Sequence, residues 1–254
     1  MNISNSNLGN SGIDIYNESI SIINLLLAED DIFNGKYSES EKIVIKRVIH
    51  ASSDIAYSKT MFFTENSIIN SINFIKQKSK LNKPIKIVCD SRMTEAGISS
   101  TVNKNVIVEA RCYIGLNSEE LNEKFYGLIS NYNLKSEFNN TNKNNTNNII
   151  GTNGITRSAY SIRVAVIENL PDFIIIGNAP TALIETMNTC KILFKSLNYK
   201  PNLIIGMPVG FVGADESKKN LMKDDFFSSI GNIGNLGGSA VAAAAMNAIL
   251  KESI

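Results

Sequence analysis

Two runs in the second half of the chain, Asp172-Phe-Ile-Ile-Ile176 and Leu203-Ile-Ile205, do most to restrict what it can fold into. Each is apolar at successive positions and too short for a self-supporting helix, so each reads as a strand covered on both faces, as in a parallel sheet. Each then enters a loop of Gly, Pro and small polar residues. Ile176-Gly-Asn-Ala-Pro-Thr-Ala-Leu183 leads into a helix over Ala182–Leu197, with Pro180 near its first turn. Ile204-Ile-Gly-Met-Pro-Val-Gly-Phe-Val-Gly-Ala-Asp-Glu-Ser-Lys218 leads into another, with Asp215 and Ser217 expected as its caps. Parallel strands need crossovers, and helices provide them. The pattern therefore predicts a single α/β domain, with a mainly parallel sheet and helices on both faces.

The rest of the chain fits that frame. Apolar spacing predicts helices from Asp14 to Leu27, Glu39 to His50, Glu65 to Ser79, Ser118 to Ser130 and Thr156 to Glu168. Strands are expected over Lys83–Asp90 and Asn105–Ile114, with Ala96-Gly97-Ile98 marking a turn between them. A last helix starts at Gly237-Gly238-Ser239, with Ser239 as its N-cap, and its alanines allow close packing. Residues 1–12 are expected as a flexible N-terminus and 13–254 as the domain, which carries an Asn-rich surface insertion near 135–150.

Charge and residue counts exclude several functions. Twenty-five Lys and Arg against 24 Asp and Glu give a net charge of +1, which leaves no general footprint for nucleic acid or an anionic membrane. No apolar run approaches the ~18 residues of a membrane span and no signal peptide is evident, so a cytoplasmic protein with no membrane partner is expected. His50 is the one histidine, and Cys89, Cys112 and Cys190 are widely separated. Zinc sites built on paired His or Cys are thereby excluded, and no metal or cofactor is expected. The glycines match neither the phosphate loop nor the dinucleotide fingerprint, which disfavours a nucleotide enzyme.

Candidate chemistry starts from His50. Arg47 lies three residues earlier on the same helix face and Asp54 four residues later, so a proton-transfer group, an anion anchor and a possible orienting carboxylate are neighbours. Asn178, Thr181, Gly210, Gly237, Gly238 and Ser239 lie on three loops before helices. If these helix N-termini converge, their free N–H groups suit a ligand with several carboxylates or amides. Arg157 begins another helix.

These stretches resemble the precorrin-8X methylmutase family. The likeness is carried by Ile15-Tyr-Asn-Glu-Ser19, Arg47-Val-Ile-His50, Cys89-Asp-Ser-Arg-Met93, Thr156-Arg157-Ser158, the two loops quoted above, and Gly237-Gly-Ser-Ala-Val-Ala-Ala-Ala-Ala-Met-Asn-Ala248. The resemblance implies a homodimer that binds a corrinoid tetrapyrrole and moves a methyl group from C-11 to C-12, without metal catalysis or organic cofactor. It implies His50 as general acid/base, with Ser19 and Arg47, and by motif Tyr16 and Arg157, as substrate contacts. The loop from Ile204 to Lys218 becomes a wall of the cleft. Asn235-Leu236 stands where the family usually has a basic pair. That replacement would suit an alternative reading, a corrinoid carrier with the same cleft but no turnover, whereas retention of His50 and Arg47 favours the enzyme.

Overall fold

A computed structural model describes residues 12–99, 106–139 and 155–254. The expected flexible segment lies outside them except for Gly12, as does most of the Asn-rich insertion. Lys135–Asn139 of that insertion is a short helix that buries Phe138.

The elements run in the order α1 (Gly12–Leu27), α2 (Asp31–Lys36), α3 (Glu39–Ser52), α4 (Tyr57–Thr60), β1 (Met61–Phe63), α5 (Ser67–Lys80) and β2 (Ile85–Cys89). There follow α6 (Arg92–Ser99), β3 (Val108–Cys112), α7 (Ser118–Asn131), α8 (Lys135–Asn139), α9 (Arg157–Asn169) and β4 (Phe173–Ile176). The chain ends with α10 (Pro180–Leu197), β5 (Leu203–Gly206), α11 (Ala214–Met222), β6 (Ser229–Asn232) and α12 (Ser239–Glu252). The six strands form one sheet in the order β1-β6-β5-β4-β2-β3, parallel throughout except for the antiparallel pair of β1 and β6. The expected architecture is thus the one observed.

Side chains alternate across this sheet, as the two-residue period of a strand requires. Ile85, Ile87, Phe173, Ile175, Leu203 and Ile205 share one core with α1, α3, α5 and α12. Val88, Ile174, Ile176 and Ile204 share the other with α7, α9 and α10. Each face is sealed by helices, which is why the central strands read as continuous apolar runs.

Two strands were not anticipated. β1 has three residues, and β6 reads Ser-Ile-Gly-Asn, which is polar although all four positions are buried. Gly231 is required there, since a Cβ would lie 2.6 Å from both the Gly206 carbonyl oxygen and the Phe62 ring.

Three local expectations are corrected. Ala96-Gly97-Ile98 is not a turn but part of α6. Its glycine serves packing, because a Cβ at Gly97 would lie 2.9 Å from the Ala243 methyl on α12, and Asn247 Nδ2 donates to the Gly97 carbonyl at 3.2 Å. Asp215 and Ser217 do not cap α11, whose N-cap is Gly213 at φ 78°. Asp215 instead accepts from the Gly234 N–H at 2.7 Å, and Ser217 Oγ donates to the Ala214 carbonyl at 3.0 Å. Ser239 does not cap α12 either: Gly238 holds that position, and the Ser239 hydroxyl meets Ser91 Oγ at 2.7 Å.

The α6–α12 contact yields a paired prediction. Gly97→Val forces added carbons against Ala243 and should cost about 1–3 kcal/mol in denaturant unfolding. Gly127→Ala, in the exposed interior of α7 with nothing within 4 Å of the new methyl, should stabilise by up to about 1 kcal/mol. Equal effects at the two sites would contradict the packing assigned to Gly97.

Candidate active site

The histidine site is built by two helices. A capping box fixes the start of α3, with Ser38 and Glu41 satisfying each other's backbone N–H groups, a device worth about 1 kcal/mol. Val44, Ile45, Val48 and Ile49 bury one face of that helix, leaving Arg47 and His50 half-buried at its edge. α1 lies across this edge. Ser19 Oγ stands 2.7 Å from His50 Nδ1, and the Tyr16 ring meets the imidazole edge-on, 5.1 Å between centroids. The Arg47 guanidinium lies over the Tyr16 ring, 4.8 Å from its centroid.

Ser19, and not Asp54, therefore orients the imidazole. The Asp54 carboxylate is turned back on its own chain, where it accepts the Ala56 N–H at 2.8 Å. With Nδ1 engaged by Ser19, Nε2 is the ring nitrogen without a protein partner among the described residues. If Ser19 donates to Nδ1, Nε2 carries the proton and is an acid; with the roles reversed, Nε2 is a base. Burial lowers the His50 pKa, and Arg47 lowers it further, so the ring is neutral at pH 7.

His50 separates two cavities. One, of about 690 Å³, is lined by Tyr16, Arg47 and His50 together with Asn247 and Lys251 of α12. The other, of about 360 Å³, is mostly apolar and lies along Ile15, Ile22 and Leu26, with Ser19 and His50 also in its lining. The first is of the size of a pocket for a sizeable organic ligand. Among the described residues, no group of three or more His, Cys, Asp or Glu is arranged to hold a metal ion.

The remaining predicted residues form a second group at the carboxyl ends of the parallel strands. The three loops do converge. A Cβ on Gly177 would lie 2.8 Å from Ser239 Cα, and one on Gly237 would lie 2.3 Å from the Met207 carbonyl oxygen. Gly210 donates to the Asn235 carbonyl and Gly238 to that of Met207. Thr181 is linked to Thr156 through their hydroxyls at 2.7 Å, while Arg157 reaches the Leu116 carbonyl at 2.9 Å.

The N–H groups of the loop before α10, however, are already engaged, as are those of Gly210 and Gly238. The strand order reverses direction between β2 and β4, where ligands of open α/β sheets usually enter. Here the buried Asp90 carboxylate fills that position and accepts from the N–H groups of Gly177, Asn178 and Ala179 at 2.8–3.0 Å. Burial raises the Asp90 pKa, against the opposing pull of these amides. Asp90 was not singled out from the sequence, although an acidic residue at the end of a strand was visible there.

The two groups also stand apart. Ser239 opens α12, whereas Asn247 and Lys251 lie about 12 and 18 Å further along its axis, at ~1.5 Å per residue. The loop from Ile204 to Lys218 thus does not line the His50 cleft within one chain.

Lys218, missed by the sequence reading, fixes this second group. It is fully buried, with Nζ 2.5 Å from the Leu236 carbonyl oxygen and 3.5 Å from Asn232 Oδ1. Burial lowers its pKa from 10.5 to about 8. The only sequence signal was a lysine on the inward face of a short helix.

The fold and the His50 cleft define an α/β protein with a histidine, an arginine and a lysine on the wall of one cavity, the two cations making no ion pair among the described residues. Residues 14–125 and 129–252 match the sequence profile of the precorrin-8X methylmutases. A cobalt-precorrin-8 methylmutase of Methanocaldococcus jannaschii is 34% identical over 96% of this chain and 95% of its own. One of Leptospira interrogans is 32% identical over 95% and 94%. A solved structure described as a precorrin-8X methylmutase related protein superposes with a TM-score of 0.63 at 25% identity, covering 91% of this chain and 98% of its own. The precorrin-8X methylmutase of Thermus thermophilus shares the fold, with a TM-score of 0.65 at 21% identity and coverage of 94% and 96%. The chain belongs to the precorrin-8X methylmutase family. No described helix is long and apolar enough to cross a membrane.

Two predictions follow from the charges. Since His50 is the one histidine, its ring protons can be followed alone by NMR. The pKa should lie below 6.5 and rise in Arg47→Met, while an unchanged or lower value would contradict the assigned coupling. For Lys218, the folded protein releases its proton near pH 8 and the unfolded chain near 10.5, so its stability contribution should rise with pH across that window. Lys218→Met should remove this rise in denaturant unfolding measured between pH 7 and 10.5. A mutant with the wild-type slope would contradict the burial.

Proposed function

We propose that the protein is an isomerase of cobalamin biosynthesis that moves a methyl group from C-11 to C-12 of a corrin precursor, precorrin-8X or cobalt-precorrin-8. The observation that carries this reading is the disposition of His50, with Nδ1 held by Ser19 and Nε2 open beside a cation-flanked cleft of about 690 Å³. Names of relatives support it in both forms: cobalt-precorrin-8 methylmutase for those already cited, and precorrin-8X methylmutase for one from a Sinorhizobium species, 28% identical over 96% of each chain.

The chemistry needs a group that lends a proton to a ring nitrogen and takes one back as the double bonds rearrange. A neutral imidazole meets that need better than a carboxylate or an ammonium. Ser19 sets the tautomer, and Arg47 holds a carboxylate arm of the macrocycle while favouring the neutral ring. Tyr16 supplies an apolar face.

The protein acts as a homodimer in this reading. Support comes from apolar surface left uncovered in one chain: Phe211 and Val212 at the tip of the β5–α11 loop are about nine-tenths exposed, and Ile22, Leu25 and Leu26 project from α1. A second copy brings its own loop group, with Asn178, Thr181, Gly237, Gly238 and Ser239, to the open side of the cleft. Arg157 serves the same ligand there.

His50→Ala should lose at least a hundredfold in conversion, the lower range for removing a general acid/base, yet still bind the macrocycle. The visible spectrum of cobalt-precorrin-8 or precorrin-8X reads both events. Undiminished conversion by the mutant would remove His50 from the mechanism. Binding without conversion by the unmutated protein would favour the carrier reading.

A further inference from the structure

Lys251, in the last turn of α12, has no assigned role. Its Nζ lies over the Tyr16 ring, 4.9 Å from the centroid, and Arg47 Cζ lies 4.8 Å from the same centroid. The two cations thus stand within about 10 Å of each other, no further apart than the screening length at ~0.1 M salt. Both line the 690 Å³ cleft, and among the described residues neither takes part in an ion pair. Glu252 also lines this cleft, without engaging either of them.

A lysine in the last turn of a helix is favoured by the macrodipole, by about 0.3–1 kcal/mol. That accounts for a positive residue on α12. It does not account for an ammonium 4.9 Å from the centroid of a ring that already has a guanidinium at 4.8 Å, where like charges repel. An anion in the cleft that reaches both would turn this repulsion into attraction, and its recognition would be by donors only, since neither Lys nor Arg accepts a hydrogen bond.

We propose that Lys251 and Arg47 form a two-cation clamp for a carboxylate-bearing arm of the ligand, with the Tyr16 ring as its platform and His50 Nε2 facing the macrocycle beyond it. This rests on the corrinoid reading and deepens it by assigning a further binding residue. The clamp selects a charged carboxylate over a neutral ester or amide of the same arm, because only the ionised group satisfies both cations.

The test compares wild type, Lys251→Met and Lys251→Arg, titrated with cobalt-precorrin-8 by visible absorption, with turnover and salt dependence measured in parallel. Lys251→Met should weaken binding and raise KM about tenfold, leave kcat within about twofold, and reduce the dependence of affinity on salt; Lys251→Arg should restore affinity to within a few-fold. The NMR titration of His50 without ligand should be the same in all three, which a merely structural loss would not preserve. Wild-type affinity and salt dependence in Lys251→Met would overturn the clamp and leave the corrinoid reading standing. Failure of the wild type to bind the macrocycle at all would overturn both.

Discussion

The Asp90 carboxylate is the constraint on which the arrangement of this protein turns. It sits where strand order reverses, the place at which an open α/β sheet normally offers its helix N-termini to a ligand, and it accepts three of the N–H groups found there. A buried carboxylate needs such partners, and the loop before α10 needs its donors satisfied. Each requirement answers the other. The result is a loop before α10 whose leading N–H groups are already taken up, and the proposed proton chemistry falls to the helical layer.

That layer is organised by α12. Its alanines let α6 pack against it closely, since a Cβ at Gly97 would lie 2.9 Å from the Ala243 methyl. The same helix begins among the Gly-rich loops, beside Gly177, and ends beside Tyr16 and His50. It therefore joins the two groups of candidate residues and also keeps them apart. Lys218 and Asp215 serve the first group by holding the turn that precedes α12, through the Leu236 carbonyl and the Gly234 N–H. Ser19 and Arg47 serve the second by fixing the orientation and the charge of one imidazole.

Much of this was legible in the sequence, because its strongest signals are local. Phe173–Ile176 and Leu203–Ile205 could only be buried strands, and the pairing of Arg47 with His50 follows from helical spacing. What escaped depends on partners distant in the chain. β6 is polar and still interior to the sheet, since it is paired along both edges, with β1 and β5. Gly97 read as a turn because its reason for being glycine, Ala243, lies far away. Asp54 was the natural orienting partner by spacing, but α3 ends at Ser53 in a left-handed conformation that turns the chain away, and α1 supplies Ser19 instead. Capping by Asp215, Ser217 and Ser239 failed for the same kind of reason, each side chain having found a tertiary or neighbouring partner.

The central claim is that His50 Nε2 faces the ligand and exchanges a proton with it. The most direct measurement is the nitrogen NMR spectrum of ¹⁵N-histidine-labelled protein, before and after saturation with cobalt-precorrin-8 or the metal-free macrocycle. The single histidine gives two ring signals. The account predicts that the Nε2 signal moves strongly on loading and that Nδ1, held by Ser19, moves much less. A spectrum in which neither nitrogen responds to the bound macrocycle would contradict it.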